Sequence, residues 1–320
     1  MLTLNFYRRI ADFINCTIED KKYERYVTQN DIYDATKVCP TCGSSARRKS
    51  VCLIQIEPLV EFLYCQNCKG CSASSMPTDA YLKDYYVDYY KDSEKQITFY
   101  GQVERFSRHI YKYLIIDKNK SLIKIMDFGG GDGSIAVQLG RIIMKNNPNI
   151  RKIHVLSVDY QVQNQFDDGT VEFHSVKNLD EVDCTYDVII ASAIFEHIQN
   201  LDKCLVKIFS LITSGGYLYA RTPFLMPFKK LFNVPLLYPM HVHDLGPSFW
   251  NRIIERYNLD ATMVSSRPPL AETEFKERFA YTLLGYLFKL PCFIEKFLRK
   301  NRPDLLWQYV AGWEIVVKVK

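Results

Sequence analysis

The 320-residue sequence lacks the long apolar stretch that a membrane span requires. A span needs roughly 18 or more consecutive apolar residues. The closest run, residues 279–288, is ended by Lys289. The first residues also lack the pattern of a secretory signal, because Arg8 and Asp12 interrupt the apolar run. We therefore expect a cytoplasmic protein, whose thiols stay reduced.

The sequence also lacks a large excess of positive or negative residues. The net charge is +5 and 24% of the residues are charged. This balance permits an anionic small substrate but is too diffuse to favour a nucleic-acid partner. No internal repeat or low-complexity tract occurs, which argues against solenoid architectures. The apolar fraction of 48% supplies enough core for one large domain and a small one.

Six of the ten cysteines fall in one short region, between Cys39 and Cys71. Cys39 and Cys42 form one Cys-x2-Cys pair, and Cys65 and Cys68 form another. Two such turns facing each other predict a closed tetrahedral zinc site with a structural role. The intervening "SVCLIQIE" and "EFLYC" predict the short strands of a zinc ribbon. Free thiols are the alternative, and Cys71 is expected to be a surplus thiol or a replacement for Cys68.

The remainder of the chain alternates between predicted strands and amphipathic helices. Apolar segments such as "LIKIMDF", "KIHVLSVDY" and "YDVIIASAI" are separated by helical patterns such as "SIAVQLGRIIMKN". This alternation predicts an α/β fold with a parallel sheet covered on both faces. The predicted organisation is an N-terminal segment (1–38), a zinc ribbon (39–75), a helical connector (76–100) and an α/β domain (101–320) with a helical insertion at about 270–306.

The glycine-rich stretch "IKIMDFGGGDGS" follows a predicted strand and opens a helix. A phosphate-binding P-loop would require a lysine that is absent here. A dinucleotide fingerprint would require glycine where Ser134 stands. The spacing that fits is Asp127-x-Gly129-x-Gly131-x-Gly133. It resembles the first motif of class I S-adenosylmethionine (SAM) methyltransferases. A glycine-rich turn without a ligand is the alternative.

The resemblance to class I methyltransferases extends over about residues 100–320. "SVDY" places Asp159 where the family binds the ribose hydroxyls, with Tyr160 beside it. "YDVIIASAIFEHI" resembles the fourth strand and its following turn, where Ser192 lies. The terminal "WEIVVKVK" resembles the last, antiparallel strand. The resemblance implies a Rossmann-like sheet of seven strands and SAM as cofactor, bound by Asp127, Gly129, Gly131, Gly133, Asp159, Tyr160 and Ser192.

A zinc ribbon before this domain, followed by "YYVDYY", resembles sugar C-methyltransferases and related enzymes of surface-polysaccharide and natural-product biosynthesis. After their fifth strand these enzymes carry Tyr-x-Glu-His. In "YPMHVHD", Tyr238 and His241 match this pattern, but Met240 replaces the glutamate. The long extra C-terminal domain of those enzymes is not seen. Both departures favour a sugar or glycan hydroxyl, rather than a carbon atom, as the acceptor.

A hydroxyl acceptor must lose its proton as it attacks, and histidine suits this task because its pKa lies near neutrality. We expect His241 to be the base, with His197 of "FEHI" second. Tyr238 and His243 complete the candidate catalytic set, and Asp244 would orient one of the histidines. A structural role for His197 is the alternative. A metal site on the paired histidines is not favoured, since Asp244 is the only third ligand nearby in the sequence.

Two segments outside the motifs are candidates for substrate contacts. Residues 224–240 contain three prolines and are predicted to form a lid over the acceptor. The amphipathic residues 272–306 are predicted to form a cap on the acceptor site, with contact to a membrane surface or a partner as the alternative. The sequence carries no signal for an oligomeric state.

Two other functions are alternatives to sugar methylation. An RNA methyltransferase acting on base amino groups would carry [ND]-P-P-[FY] where this chain reads "SAIF". The ribbon also lacks a dense basic patch beyond Arg47, Arg48 and Lys49. A non-catalytic module that keeps SAM only for folding is the second alternative. The intact glycine motif and Asp159 argue against a loss of cofactor binding.

Overall fold

A computed structural model describes residues 27–90, 103–227, 229, 236–269, 287, 290, 294 and 312–320. The predicted N-terminal segment therefore lies mostly outside the described residues. The same holds for the end of the connector, part of the predicted lid and almost all of the predicted helical insertion. The strands are β1 (Arg48–Gln55), β2 (Val60–Cys65), β3 (Cys71–Ala73), β4 (Leu122–Phe128), β5 (Lys152–Val158), β6 (Phe166–Asp167), β7 (Val171–Val176), β8 (Tyr186–Ser192), β9 (Ile212–Pro223), β10 (His243–Asp244), β11 (Ala261–Arg267) and β12 (Gly312–Val319). The α-helices are α1 (Asp79–Tyr90), α2 (Val103–Tyr111), α3 (Ser134–Asn146), α4 (Leu201–Ser210), α5 (Pro247–Trp250) and α6 (Ile253–Arg256).

The larger sheet has the strand order β11-β12-β9-β8-β4-β5-β7-β6. The strands from β9 to β7 are parallel, and β12 runs antiparallel to both β9 and β11. This is a mixed sheet of the class I methyltransferase type. The sequence predicts seven strands, whereas the described part of the sheet has eight. The extra strand is β6, whose two exposed residues pair with β7 and carry no alternating apolar pattern.

The central strand β4 shows why this sheet is buried on both faces. Ile123 and Ile125 belong to one core cluster, with residues of α2 and α3. Met126 and Phe128 belong to the other cluster, with residues of α4. Successive side chains of a strand point to opposite faces, so an apolar run such as "LIKIMDF" supplies both cores at once.

The helices are shorter than their sequence patterns suggest. The helical pattern of "SFWNRIIERYN" forms two short helices, α5 and α6, instead of one continuous helix. The indole Nε1–H of Trp250 donates to Thr222 Oγ1 at 2.9 Å and ties α5 to β9. No helix in the described ranges is both long enough and apolar enough to cross a bilayer.

The smaller sheet has the order β1-β2-β3-β10. Its first three strands belong to residues 39–75, which we call the cysteine-rich module. Its fourth strand, β10, comes from the second half of the chain and pairs antiparallel with β3. The hydroxyl of Tyr238 donates to Ser75 O at 3.1 Å, and Arg256 Nη2 donates to Cys68 O at 2.9 Å. The module is therefore built into the larger α/β domain rather than linked to it by a tether.

Candidate functional site

The glycine loop lies between β4 and α3, at the carboxyl end of the sheet. Gly129, Gly131 and Gly133 all have positive φ angles. A Cβ atom on Gly129 would lie 2.7 Å from Ile194, and one on Gly133 would lie 2.3 Å from Phe173. Packing within the protein therefore requires these two glycines. A Cβ on Gly131 would meet nothing within 4 Å, so this position faces the space that a ligand would fill.

Two aspartates lie at the loop. Asp127 is only 2% exposed, and its Oδ2 atom has no hydrogen-bond partner within the described residues. Burial, followed by the nearby Asp159 and Asp132, raises the pKa of Asp127 to about 7. Asp159 accepts hydrogen bonds from the backbone N–H of Gly131 at 3.0 Å and of Gln161 at 3.2 Å. The carboxylate of Asp159 thus fixes the shape of the loop and stands at its edge.

Two further predicted cofactor residues lie at the same edge. Ser192 ends β8, and its hydroxyl oxygen is buried without a partner among the described residues. Tyr160 follows Asp159, and its ring stacks on Tyr86 of α1 at 4.8 Å and 22°. Tyr86 was not predicted, because nothing in "YYVDYY" distinguishes one tyrosine from the next. The open backbone at Gly131 and the unpaired oxygens of Asp127 and Ser192 fit a ligand with SAM's polar groups.

His197 and His241 come together from two distant parts of the chain. His197 also bonds to Met240, which lies 43 positions further along the sequence. The two imidazole rings are 4.7 Å apart and nearly perpendicular. His197 Nδ1 lies 2.9 Å from Met240 O, so Nδ1–H donates to this carbonyl. Burial lowers the pKa of His197 to about 4. Burial and the neighbouring His197 lower the pKa of His241 well below its usual value, so both rings are neutral at pH 7.

The other two predicted catalytic side chains are bonded to backbone carbonyls. His243 Nε2 donates to Ile198 O at 2.6 Å, and burial lowers the pKa of His243 to about 4. Tyr238 is 6% exposed and its hydroxyl donates to Ser75 O. These contacts join residues 238–243 to the turn after β8 and to the cysteine-rich module.

Asp244 does not orient a histidine, contrary to the sequence-based expectation. Its carboxylate accepts hydrogen bonds from the backbone N–H groups of Leu225 and Met226. Burial raises the pKa of Asp244 to about 7. The residue therefore holds the chain that leaves β9.

The acidic residue beside the two histidines is Glu196, which sequence reasoning missed. Glu196 is 1% exposed, and its Oε1 lies 3.8 Å from His197 Nε2. Burial raises the pKa of Glu196 to about 8, and Asp244 adds to this effect. Glu196 stands in "FEHI", but nothing in the sequence places it beside His241. In the structure the third candidate ligand beside His197 and His241 is Glu196 and not Asp244.

The four predicted zinc ligands converge. The Sγ atoms of Cys39 and Cys68 are 3.8 Å apart, and those of Cys42 and Cys65 are 3.9 Å apart. All four sulfur atoms lie within 4.8 Å of one another. A tetrahedron with zinc–sulfur bonds of 2.3 Å has edges of about 3.8 Å, so the spacing fits zinc. Thr41 Oγ1 lies 2.8 and 3.0 Å from the sulfurs of Cys39 and Cys68 and supplies a supporting donor.

The cysteine cluster and the larger domain share one core. Cys39, Cys65 and Cys68 pack in the same cluster as Leu205 of α4 and Trp250 of α5. Cys71 lies on β3 and is not one of the four converging cysteines. A cavity lies between the two modules and is lined by Phe62, Pro223, Leu225, Leu237, His241 and His243.

Comparison with known proteins identifies the larger domain. A family model described as "Methyltransferase domain" matches residues 99–263, which is more than half of the chain. The matched region includes the glycine loop, Asp159, Ser192 and His197. The chain therefore belongs to the methyltransferase domain family and is a SAM-dependent methyltransferase.

A sequence comparison with curated proteins gives no match. Solved structures resemble the chain distantly. The plantazolicin methyltransferase BpumL, in complex with a triazolic desmethylPZN analog and SAH, has 14% identity and a TM-score of 0.43, over 73% of this chain and 91% of that one. Coclaurine N-methyltransferase, bound to N-methylheliamine and SAH, has 13% identity and a TM-score of 0.36, over 70% and 71%. The [4+2]-cyclase SpnF has 12% identity and a TM-score of 0.40, over 68% and 80%.

Proposed function

We propose that this enzyme methylates a hydroxyl group of a sugar or glycan precursor in surface-polysaccharide or natural-product biosynthesis. The observation that carries the proposal is the position of the His197–His241 pair. Ile194, three residues before His197, packs against Gly129 of the glycine loop. This contact supports the proposal that the turn carrying His197 lies beside the donor site, where an acceptor oxygen must approach.

In this proposal, one set of residues binds the donor SAM and another acts on the acceptor. SAM, when bound, supplies the methyl group of its sulfonium. Asp159 is proposed to hold the ribose hydroxyls, and Asp127 and Ser192 offer polar atoms that need a partner. His197 and His241 are neutral and handle the proton of the attacking hydroxyl. Since in-line displacement depends on alignment, positioning contributes as much as proton removal.

Small acceptors are favoured over RNA by the contacts of Arg48. Its guanidinium donates to Ser72 Oγ at 3.0 Å and to the carbonyl and hydroxyl of Thr36. The side chain is therefore used within the cysteine-rich module and is not presented to a phosphate backbone.

The cysteine cluster is proposed to hold one structural zinc ion in a zinc-ribbon module. Its four positions are filled by protein, so the metal stabilises the fold and takes no part in methyl transfer. Reduced thiols are required for this role, which agrees with a cytoplasmic location. The predicted cap or membrane contact at residues 272–306 lies almost entirely outside the described residues and stays a prediction.

The test is a transfer assay with labelled SAM against nucleotide sugars, glycan precursors and RNA, with the products identified by mass. We expect an O-methylated sugar product, and loss of that product in Asp159→Ala. His174→Asn is the matched control, because His174 lies on β7 with 45% of its side chain exposed. Methylation of RNA alone, or methylation at a sugar carbon, would contradict the proposal.

A further inference from the structure

One cluster of side chains consists of Glu196, His197 and His241. The proposed methyl transfer gives roles to the two histidines but none to Glu196. One ligand atom of each residue lies within 4.8 Å of the others. Two residues come from the turn after β8, and the third comes from the segment before β10. The cluster is separate from the four cysteines, because none of its residues belongs to that group.

The orientation of His197 is the one that a metal-binding imidazole requires. Metal-bound histidines usually donate their second ring N–H to a carbonyl or carboxylate, which fixes the ring. His197 Nδ1–H donates to Met240 O at 2.9 Å. Its Nε2 atom is then left on the side of Glu196, 3.8 Å from Oε1.

Glu196 provides an independent observation. The residue is 1% exposed, and its Oε2 atom has no hydrogen-bond partner within the part of the chain that the structure describes. A buried carboxyl oxygen without a partner requires an explanation, since nearly all such atoms are bonded. A bound cation would satisfy it.

We propose that Glu196, His197 and His241 bind a divalent transition-metal ion such as zinc. Two imidazoles and one carboxylate suit zinc, iron or nickel, whereas magnesium and calcium prefer oxygen ligands alone. Three protein ligands leave a coordination position open, as in catalytic rather than structural zinc sites. His197 and His241 are each only partly buried, so the open position can be reached from outside the protein.

This site deepens the proposed function and rests on it for the identity of the acceptor. A hydroxyl bound to the cation loses its proton to water more readily, because the positive charge stabilises the alkoxide. The alkoxide oxygen then forms a bond to the donor methyl carbon while the carbon–sulfur bond breaks, and the electron pair stays on sulfur. Water takes up the proton, and His197 and His241 contribute by holding the ion.

The experiment is a titration of the metal-free protein with Co²⁺, followed by absorption spectroscopy and metal analysis. We expect about two ions per chain, one with thiolate-to-cobalt absorption and one without. Glu196→Gln should lose the ion without thiolate absorption and keep the other. Glu255→Gln is the control, because Glu255 is an exposed glutamate on α6 and should keep both ions.

SAH affinity is measured for each variant as a check of folding. If Glu196→Gln fails this check, His241→Asn replaces it and is expected to lose the same ion. Wild type that binds only the ion with thiolate absorption, or a folded Glu196→Gln or His241→Asn that keeps the ion without it, would overturn the proposal. Methylation of a different acceptor with both ions bound would overturn only the proposed function, so the two failures are distinguishable.

Discussion

The carboxylate of Asp159 is expected to serve both the glycine loop and the cofactor. It accepts hydrogen bonds from the N–H groups of Gly131 and Gln161, and it is predicted to bind the ribose of SAM. We expect Asp159→Ala to weaken SAH binding by about 1–3 kcal/mol, which is roughly 5- to 150-fold. Calorimetry would measure this, with the exposed Asp180→Ala as control. Unchanged affinity would remove Asp159 from the cofactor site.

The two neighbouring histidines are expected to affect turnover and not cofactor binding. His241→Ala and His197→Ala should each lower kcat by roughly 10²–10⁴-fold while the SAH affinity stays near wild type. The reason is that neither ring belongs to the glycine loop, while both are proposed to contact the acceptor. Steady-state kinetics beside His174→Asn would test this. Full activity in both variants would show that alignment alone carries the reaction.

Asp244 makes the stability of the protein depend on pH. Its pKa is about 7 in the folded state, above the ordinary value of 3.8, because the carboxyl is buried. The stabilisation by the bound proton is complete below about pH 4 and is lost as the pH rises to about 7. We expect this group to lower the free energy of unfolding by about 1 kcal/mol per pH unit in that window. Asp244→Asn should flatten the urea-unfolding profile between pH 5 and 7, and an unchanged slope would contradict the assignment.

At the scale of elements, a buried ionic group joins α2 to the sheet. Glu314 of β12 is 0% exposed and bonds to His109 of α2, to Tyr219 and to Arg267. Burial alone would raise the pKa of Glu314, but these partners lower it.

Loss of Glu314 should therefore be costly. In Glu314→Ala the buried partners of the carboxylate lose their hydrogen-bond acceptor. We therefore expect the free energy of unfolding to fall by about 3–5 kcal/mol. The exposed pair of Glu104 and Arg108 on α2 supplies the control. Glu104→Ala should cost less than about 1 kcal/mol. Urea unfolding would measure both losses. Equal losses in the two variants would show that burial of Glu314 adds nothing to its contribution to stability.

Elements with a local signal could be predicted from the sequence, and elements defined by distant contacts could not. The strand "LIKIMDF" and the Cys-x2-Cys turns carry their pattern within a few residues, and the structure has both. The two-residue strands β6 and β10 have no periodicity to detect. Glu196 was missed for a related reason, because only the fold brings it and His197 beside His241.

At the scale of the whole molecule, the cysteine cluster is expected to stabilise both modules, because its residues share a core with α4 and α5. Cys42→Ser should reduce the zinc content by about one ion per chain and lower the free energy of unfolding by on the order of 4 kcal/mol. Metal analysis and thermal unfolding would measure these changes. Cys52→Ser, which alters a cysteine of β1 outside the cluster, is the control and should retain the ion. A stable, zinc-free wild type would contradict the prediction.

The completion of the small sheet by β10 constrains how the chain can assemble during synthesis. The cysteine-rich module leaves the ribosome first, since translation proceeds from the N-terminus. Its last strand is β10, and the hydrogen bond from Tyr238 to Ser75 spans 163 residues. Pairings of such long range form slowly, because a large loop must close first. The first module to be translated is therefore among the last to be finished, and its edge strand β3 stays unpaired on one side until most of the methyltransferase domain has emerged.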